Sequence, residues 1–311
     1  MAEVVVFESA VKDYGSKRIG PVTLRVGRSE VMGLVGPNGS GKTTTIRLML
    51  GLIRPSSGLV LVNGYPPHSR RVEALSGVGY SPELPNLPTF FTPRELLRLV
   101  GGELGVDPSK DGVDEVLERV GLLAYSDTKI AKLSKGMVQR LSIAQALMGN
   151  PQTLVLDEPL IGVDPIGADH LRKMLADFAS KGGSVILSSH QLPEVEGLCT
   201  SVTAFRRGGV MFSGRVSELV GRVLGELTVR VEAIGLERNV IDKIRTLDGV
   251  LEVEENPRGL RVRVKADREL RPIIARTLIE EGCELREIGY LNNTLEELYR
   301  RVVGGDASGE G

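Results

Sequence analysis

Apolar and polar positions along the chain follow two rhythms, and their alternation predicts most of the elements. The β-branched runs EVVVFE (residues 3–8) and PVTLRV (21–26) predict strands around a turn that carries Tyr14, Gly15 and Gly20. A strand over 30–35 enters a glycine-rich loop and leaves it as an amphipathic helix, which Gly51 and Pro55 end. Strands are expected again over 58–64 and 78–83. From about 84 to 133 helical spacing takes over. Thr92-Pro93-Arg94-Glu95 reads as a capping box with proline at the first helical position, opening a helix whose Leu96, Leu97, Leu99 and Val100 face one way. Val113, Val116, Leu117 and Val120 mark a second helix, and a third runs from Leu133 to about Gly149, ended by Asn150-Pro151. TLVLD (153–157) is nearly continuous in apolar residues, as strands of a parallel sheet covered on both faces are. A helix over 165–181 and SVILSSH (184–190) repeat the alternation, which predicts an α/β fold with right-handed crossovers.

Near residue 220 the pattern changes. A half-exposed strand over 226–232 is followed by Leu236, Val240, Ile241, Ile244 and Leu247 on one helical face. Then come a strand over 249–254, the turn Asn256-Pro257-Arg258-Gly259, and Leu260, Val262 and Val264 alternating with basic residues. A helix over 268–281 and a strand over 283–289 complete a β-α-β-β-α-β order, a small α+β unit of the ferredoxin-like kind. Thr294 and Glu297 predict one more capped helix before a frayed tail. The expected domains are therefore 1–222, with a helical lobe over about 84–150, then 223–303, and a tail over 304–311.

Composition narrows the class without choosing the chemistry. The 311 residues are 41% hydrophobic and 25% charged, enough for a sizeable core. Lys+Arg 39 against Asp+Glu 40 leaves a formal charge of −1, so no global field draws the chain to nucleic acid, and no nucleic-acid partner is expected. Cys199 and Cys283 stand far apart without metal-ligand spacing and read as buried thiols in a reducing compartment. The N-terminus lacks the pattern of a signal peptide, and no stretch approaches the roughly 18 apolar residues of a membrane span.

The chemistry begins at Gly36-Pro37-Asn38-Gly39-Ser40-Gly41-Lys42-Thr43, which satisfies G-x-x-x-x-G-K-[ST] between a strand and a helix. Curled by its glycines, such a loop points successive N–H groups into one concavity for a polyphosphate, and the following helix, with Thr44 in its first turn, turns its positive end onto the same anion. Lys42 adds a full charge, and Thr43 offers a hydroxyl ligand for Mg²⁺. The strand over 153–157 ends in Asp157 and Glu158, whose alternating directions would let Asp157 hold the magnesium shell while Glu158 polarises a water.

With Leu133-Ser134-Lys135-Gly136-Met137 opening a helix, Asp164 just beyond the carboxylates and Ser188-Ser189-His190 closing a later strand, the chain resembles an ATP-binding-cassette (ABC) ATPase over residues 3 to about 220. The resemblance implies a P-loop NTPase fold with a parallel core sheet, an antiparallel β subdomain and a helical subdomain. It implies ATP and Mg²⁺ as ligands, Lys42, Glu158 and His190 as catalytic groups, and Ser134 and Gly136 reaching the γ-phosphate held by a second copy. Asp164 would lie across that dimer, Tyr14 would stack on adenine, and Glu83 would take the place of the loop glutamine that senses Mg²⁺. Separate transmembrane permease subunits would hold the chain at the inner face of the cell membrane, cytoplasmic otherwise. Glu83, Lys135 and Met137 depart from the usual pattern. L-S-K-G-M, with the C-terminal stretch TLEELYRRV, resembles the ABC-2 type exporters.

Several readings stay open at this point. Tyr14 also fits a turn aromatic, and Phe90 with Phe91 fits either a socket for a membrane partner or core. The C-terminal unit could brace a dimer or sense a ligand. A soluble ABC ATPase acting on ribosomes or nucleic acid is the alternative to transport, though one phosphate loop and no long coiled coil speak against it.

Overall fold

Three neighbouring strands, β3 (Val31–Val35), β7 (Ser184–Ser189) and β6 (Thr153–Leu156), run parallel and end on the same side. All their residues are buried, which is why the sequence there is apolar without alternation. In this computed structural model, which describes residues 3–105, 112–219, 225–265, 269–291 and 299, they form the middle of a six-stranded sheet of order β5-β6-β7-β3-β8-β9. Here β5 is Val78–Ser81, β8 Ser201–Arg206 and β9 Gly209–Arg215. The chain divides into two compact units, Met1–Ser213 and Gly214–Gly311.

In the first unit β1 (Glu3–Asp13), β2 (Arg18–Gly27) and β4 (Ser57–Val62) make a separate antiparallel sheet of order β2-β1-β4. The first two strands are longer than their apolar runs predict. Pairing continues through Lys12–Ile19 and Asp13–Arg18, so Gly20 lies within β2 and the turn shrinks to Tyr14–Lys17. Helix α1 (Lys42–Met49) buries Ile46, Leu48 and Met49 in one core with Phe7, Leu24, Leu34, Val60 and Phe205 from the two sheets. A short helix, α2 (Arg71–Leu75), was not legible, because only Ala74 of its five residues is buried and no side chain caps it.

The helical lobe contains α3 (Pro93–Glu103), α4 (Val113–Arg119) and α5 (Lys135–Leu147). The capping box of α3 is present: Thr92 Oγ1 accepts from Glu95 N and Glu95 accepts from Thr92 N. Its apolar face is narrower than expected, with Leu96 and Leu97 buried but Leu99 half exposed. Helix α6 (Pro165–Ser180) and the one-turn α7 (Leu192–Val195) complete this unit. Among the described residues no helix is long and apolar enough to cross a membrane.

The second unit joins β10 (Glu226–Ile234), α8 (Arg238–Arg245), β11 (Val250–Asn256), β12 (Gly259–Lys265), α9 (Arg271–Glu280) and β13 (Glu284–Tyr290). Its antiparallel sheet has the order β11-β12-β10-β13, the interleaved order of a split β-α-β pair. Val229, Val231, Leu260, Val262 and Val264 pack against Val240, Ile241, Ile244, Ile274 and Leu278 of the helices. The opposite face carries charge pairs such as Arg263–Glu252 at 2.6 Å and Arg230–Glu287. The predicted capping box at Thr294 and Glu297 and the tail fall outside the described residues.

Candidate functional site

The carboxyl ends of β3, β6 and β7 bring the phosphate loop, Asp157, Glu158 and His190 together. Gly36 leaves β3 at φ +146°, where a Cβ would stand 2.3 Å from the carbonyl oxygen of Phe205; only glycine fits. Helix α1 then opens with no side-chain cap and no acidic residue in its first turn, so its leading N–H groups are unclaimed by side chains. Lys42 Nζ donates to the carbonyl of Gly36 at 2.7 Å and stands 3.2 Å from Glu158 Oε1, with both side chains only 5% exposed.

Asp157 and Glu158 are both buried, and one hydroxyl organises them. Ser188 Oγ donates to Asp157 Oδ1 at 2.5 Å and accepts from the Glu158 N–H at 2.8 Å. Thr43 Oγ1 donates to the same Asp157 oxygen at 3.5 Å. The two carboxylates separate for a different reason from strand alternation. Strand β6 ends at Leu156, and Glu158 sits in the left-handed region at φ +49°, a costly backbone that re-aims its side chain. The side chain thereby meets His190: Nδ1 lies 2.8 Å from Glu158 Oε2, and the His190 N–H donates to the same oxygen at 3.3 Å. A carboxylate can only accept, so Nδ1 carries the proton.

The other expected residues form a second group. Ser134 Oγ caps its own helix, accepting from Met137 N at 3.2 Å, so α5 starts at Lys135 rather than Leu133. Gly136 is buried against the turn before α6, where a Cβ would stand 2.6 Å from the carbonyl oxygen of Gly162. Asp164 caps α6 through Gly167 N at 2.9 Å, and that bond, more than any charge, holds its carboxyl below the usual range. Among the described residues no side-chain hydrogen bond or ion pair joins Ser134 or Asp164 to Lys42, Thr43, Asp157, Glu158 or His190.

Glu83 stands two residues beyond β5, whose Ser81 carbonyl accepts from Asp157 N at 2.9 Å. The neighbouring Tyr80 phenol is pushed above its ordinary value by burial first, then by Asp157 and Glu83. Tyr14 is half exposed in its turn, with Lys12 Nζ 5.5 Å from its ring centroid. Phe90 is exposed and stacks at 4.6 Å on Phe91, so it is not core.

Known proteins are similar to this chain in sequence and fold. The family described as "ABC transporter" matches residues 19–161. The bacitracin transport ATP-binding protein BcrA of Bacillus licheniformis is 30% identical over 315 residues, covering 99% of this chain and 100% of that one. The chain belongs to the ABC transporter ATP-binding proteins. The Nod factor export ATP-binding protein I of Paraburkholderia xenovorans is 33% identical over 222 residues, 70% of this chain and 73% of that protein. Among solved structures, an ATP-binding subunit of an ABC transporter superposes with a TM-score of 0.63 at 27% identity, covering 70% of this chain and 92% of that one.

As an ABC ATPase, the chain binds and hydrolyses ATP in a transporter, and the ribosome-factor alternative is set aside. Ser188 is the residue of this ABC ATPase that pattern reading did not single out for a task. Its signal was there, the first of two adjacent hydroxyls that follow the apolar Val185-Ile186-Leu187 and close the strand before His190.

Proposed function

We propose that this ABC ATPase powers export through separate permease subunits at the inner face of the membrane, working as a head-to-tail homodimer. The observation that carries the dimer is the division of the expected residues into two groups, with no side-chain link between them among the described residues. One group holds a loop, a lysine and two carboxylates; the other offers the exposed Ser134 at an uncapped-by-charge helix start, suited to a neighbour's phosphate. Export is favoured by the similarity to a protein named for Nod factor export and by the whole-length similarity to one named for bacitracin transport.

In the hydrolytic group the backbone N–H groups of residues 38–39 and 41–43, together with the Lys42 ammonium, hold the phosphate chain, while those of Gly36 and Ser40 donate to Ser189 O and Pro37 O and shape the loop, and Tyr14 supplies a π face for adenine. Magnesium fits the donor set: Thr43 Oγ1 and Asp157 Oδ1 are hard oxygens facing each other, and Glu83 follows two residues after β5, whose Ser81 carbonyl pairs with Asp157 N. Bound there, Mg²⁺ would neutralise charge on the phosphate oxygens. Glu158 orients and deprotonates the attacking water, and the His190 N–H groups hold that carboxylate in place. Asp164 braces the turn on which Gly136 rests. The exposed Leu84 and Phe90 suit a short apolar helix of the permease.

Affinity purification of the full chain from its own membranes, followed by identification of what comes with it, tests this reading. A polytopic membrane protein in stoichiometric amount is expected. Recovery with ribosomes and no membrane protein would remove the transport assignment.

A further inference from the structure

The turn that carries Tyr14 touches the phosphate loop through one side chain. Lys17 Nζ donates to the carbonyl oxygen of Gly39, in the middle of the loop, at 2.5 Å. Backbone bonds on both sides fix where Lys17 stands. The Tyr14 N–H donates to the Lys17 carbonyl at 2.9 Å and closes the turn, while the Gly20 N–H donates to Gly208 O at 2.7 Å and the Gly208 N–H to Ser40 O at 3.1 Å. The Lys17 ammonium thus joins the turn to the loop, and Gly208 joins the strand β2 that follows the turn to the same loop.

The two lysines that hydrogen-bond to loop carbonyls differ in what opposes their charge. Lys42 is buried and faces Glu158 Oε1 at 3.2 Å. Lys17 is exposed, and among the described residues no carboxylate pairs with it. An ammonium has three donors, and the Gly39 carbonyl takes one. We propose that Lys17 is a second cationic contact for the phosphate chain of a nucleoside polyphosphate, made from the rim of the loop. The proposal rests on residues 36–43 being the phosphate cradle and adds to it a residue that the loop motif does not contain.

Hydrogen-bonded to a loop carbonyl, the ammonium is within a short Coulomb range of any anion that the loop holds, and on the surface that attraction is sensitive to salt. Its charge acts on the bound nucleotide before and during hydrolysis alike, so it contributes to uniform binding rather than to the chemical step.

The test is calorimetric titration of the full chain and of Lys17→Gln with ATP, ADP and adenosine at low and high salt, with steady-state kinetics alongside. Dissociation constants for ATP and ADP should rise about tenfold at low salt. The difference should shrink at high salt, KM should rise in step while kcat shifts by less than about twofold, and Lys17→Arg should restore affinity. Unchanged affinity for both nucleotides overturns the proposal. So does an equal loss for adenosine, which would make Lys17 a prop for the Tyr14 turn. Lys42→Ala is the separate control: if it leaves ATP binding untouched, the cradle reading itself fails, whatever Lys17→Gln does.

Discussion

Glu158 is held from both ends, with Oε2 2.8 Å from His190 Nδ1 and Oε1 3.2 Å from Lys42 Nζ. A buried carboxylate placed between an imidazole and an ammonium stays fixed in direction, which a general base needs. Substituting Glu158→Gln keeps the shape and removes the basicity. Turnover should fall by about 10²–10⁴-fold, while ATP still binds and a dimer accumulates in its presence. Single-turnover kinetics with light scattering would check both halves, and unchanged turnover would take Glu158 out of the base role.

Ser188 holds two carboxylate residues with one oxygen. Ser188→Ala leaves the Glu158 N–H unpaired in a buried setting, at a cost of about 1–3 kcal/mol. It also frees Asp157 to turn. Thermal unfolding should register the first effect, and a raised Mg²⁺ requirement for turnover the second. Full stability and unchanged magnesium dependence would show that the clamp is dispensable.

Gly136 leaves no room for a side chain, since a Cβ would meet the Gly162 carbonyl at 2.6 Å. Gly136→Ala must push α5 off the turn before α6, an overpacking cost of about 1–3 kcal/mol. If the two copies complete each other's sites, turnover should suffer more than stability accounts for. ATP affinity of the isolated subunit, measured by titration, should stay near that of the parent.

The charge on Asp164 gives a pH signature. Its carboxyl is depressed chiefly by the Gly167 N–H, so the stabilisation it brings is present above the unfolded carboxyl value and is lost as pH falls through the folded one. Asp164→Asn keeps a capping oxygen without the charge. The melting-temperature gap between parent and variant should therefore be steady near neutrality and close in acid. A gap that persisted in acid would mean the charge is not what matters.

Strong periodicity and paired capping residues were readable in advance: the parallel strands, the Thr92–Glu95 box and the alternation of β12 all follow from side chains whose burial is set locally. What the pattern hid depends on distant partners. Leu99 has the right spacing for the core of its lobe, yet it stands half exposed. The paired hydrogen bonds of Ser188 to Asp157 and Glu158 form only when β6 and β7 lie side by side, some 30 positions apart in sequence. Lys17 meets the loop because pairing carries β1 and β2 further than their apolar residues do.

The strand order of the C-terminal unit has a bearing on biosynthesis. β10, one of its two inner strands, leaves the ribosome first, and the two strands that flank it, β12 and β13, are made later, β13 last of all. Until residue 290 has emerged, one side of β10 offers bare amides and carbonyls to any passing strand. A transcript ending early would therefore yield a sticky product rather than a shorter working one.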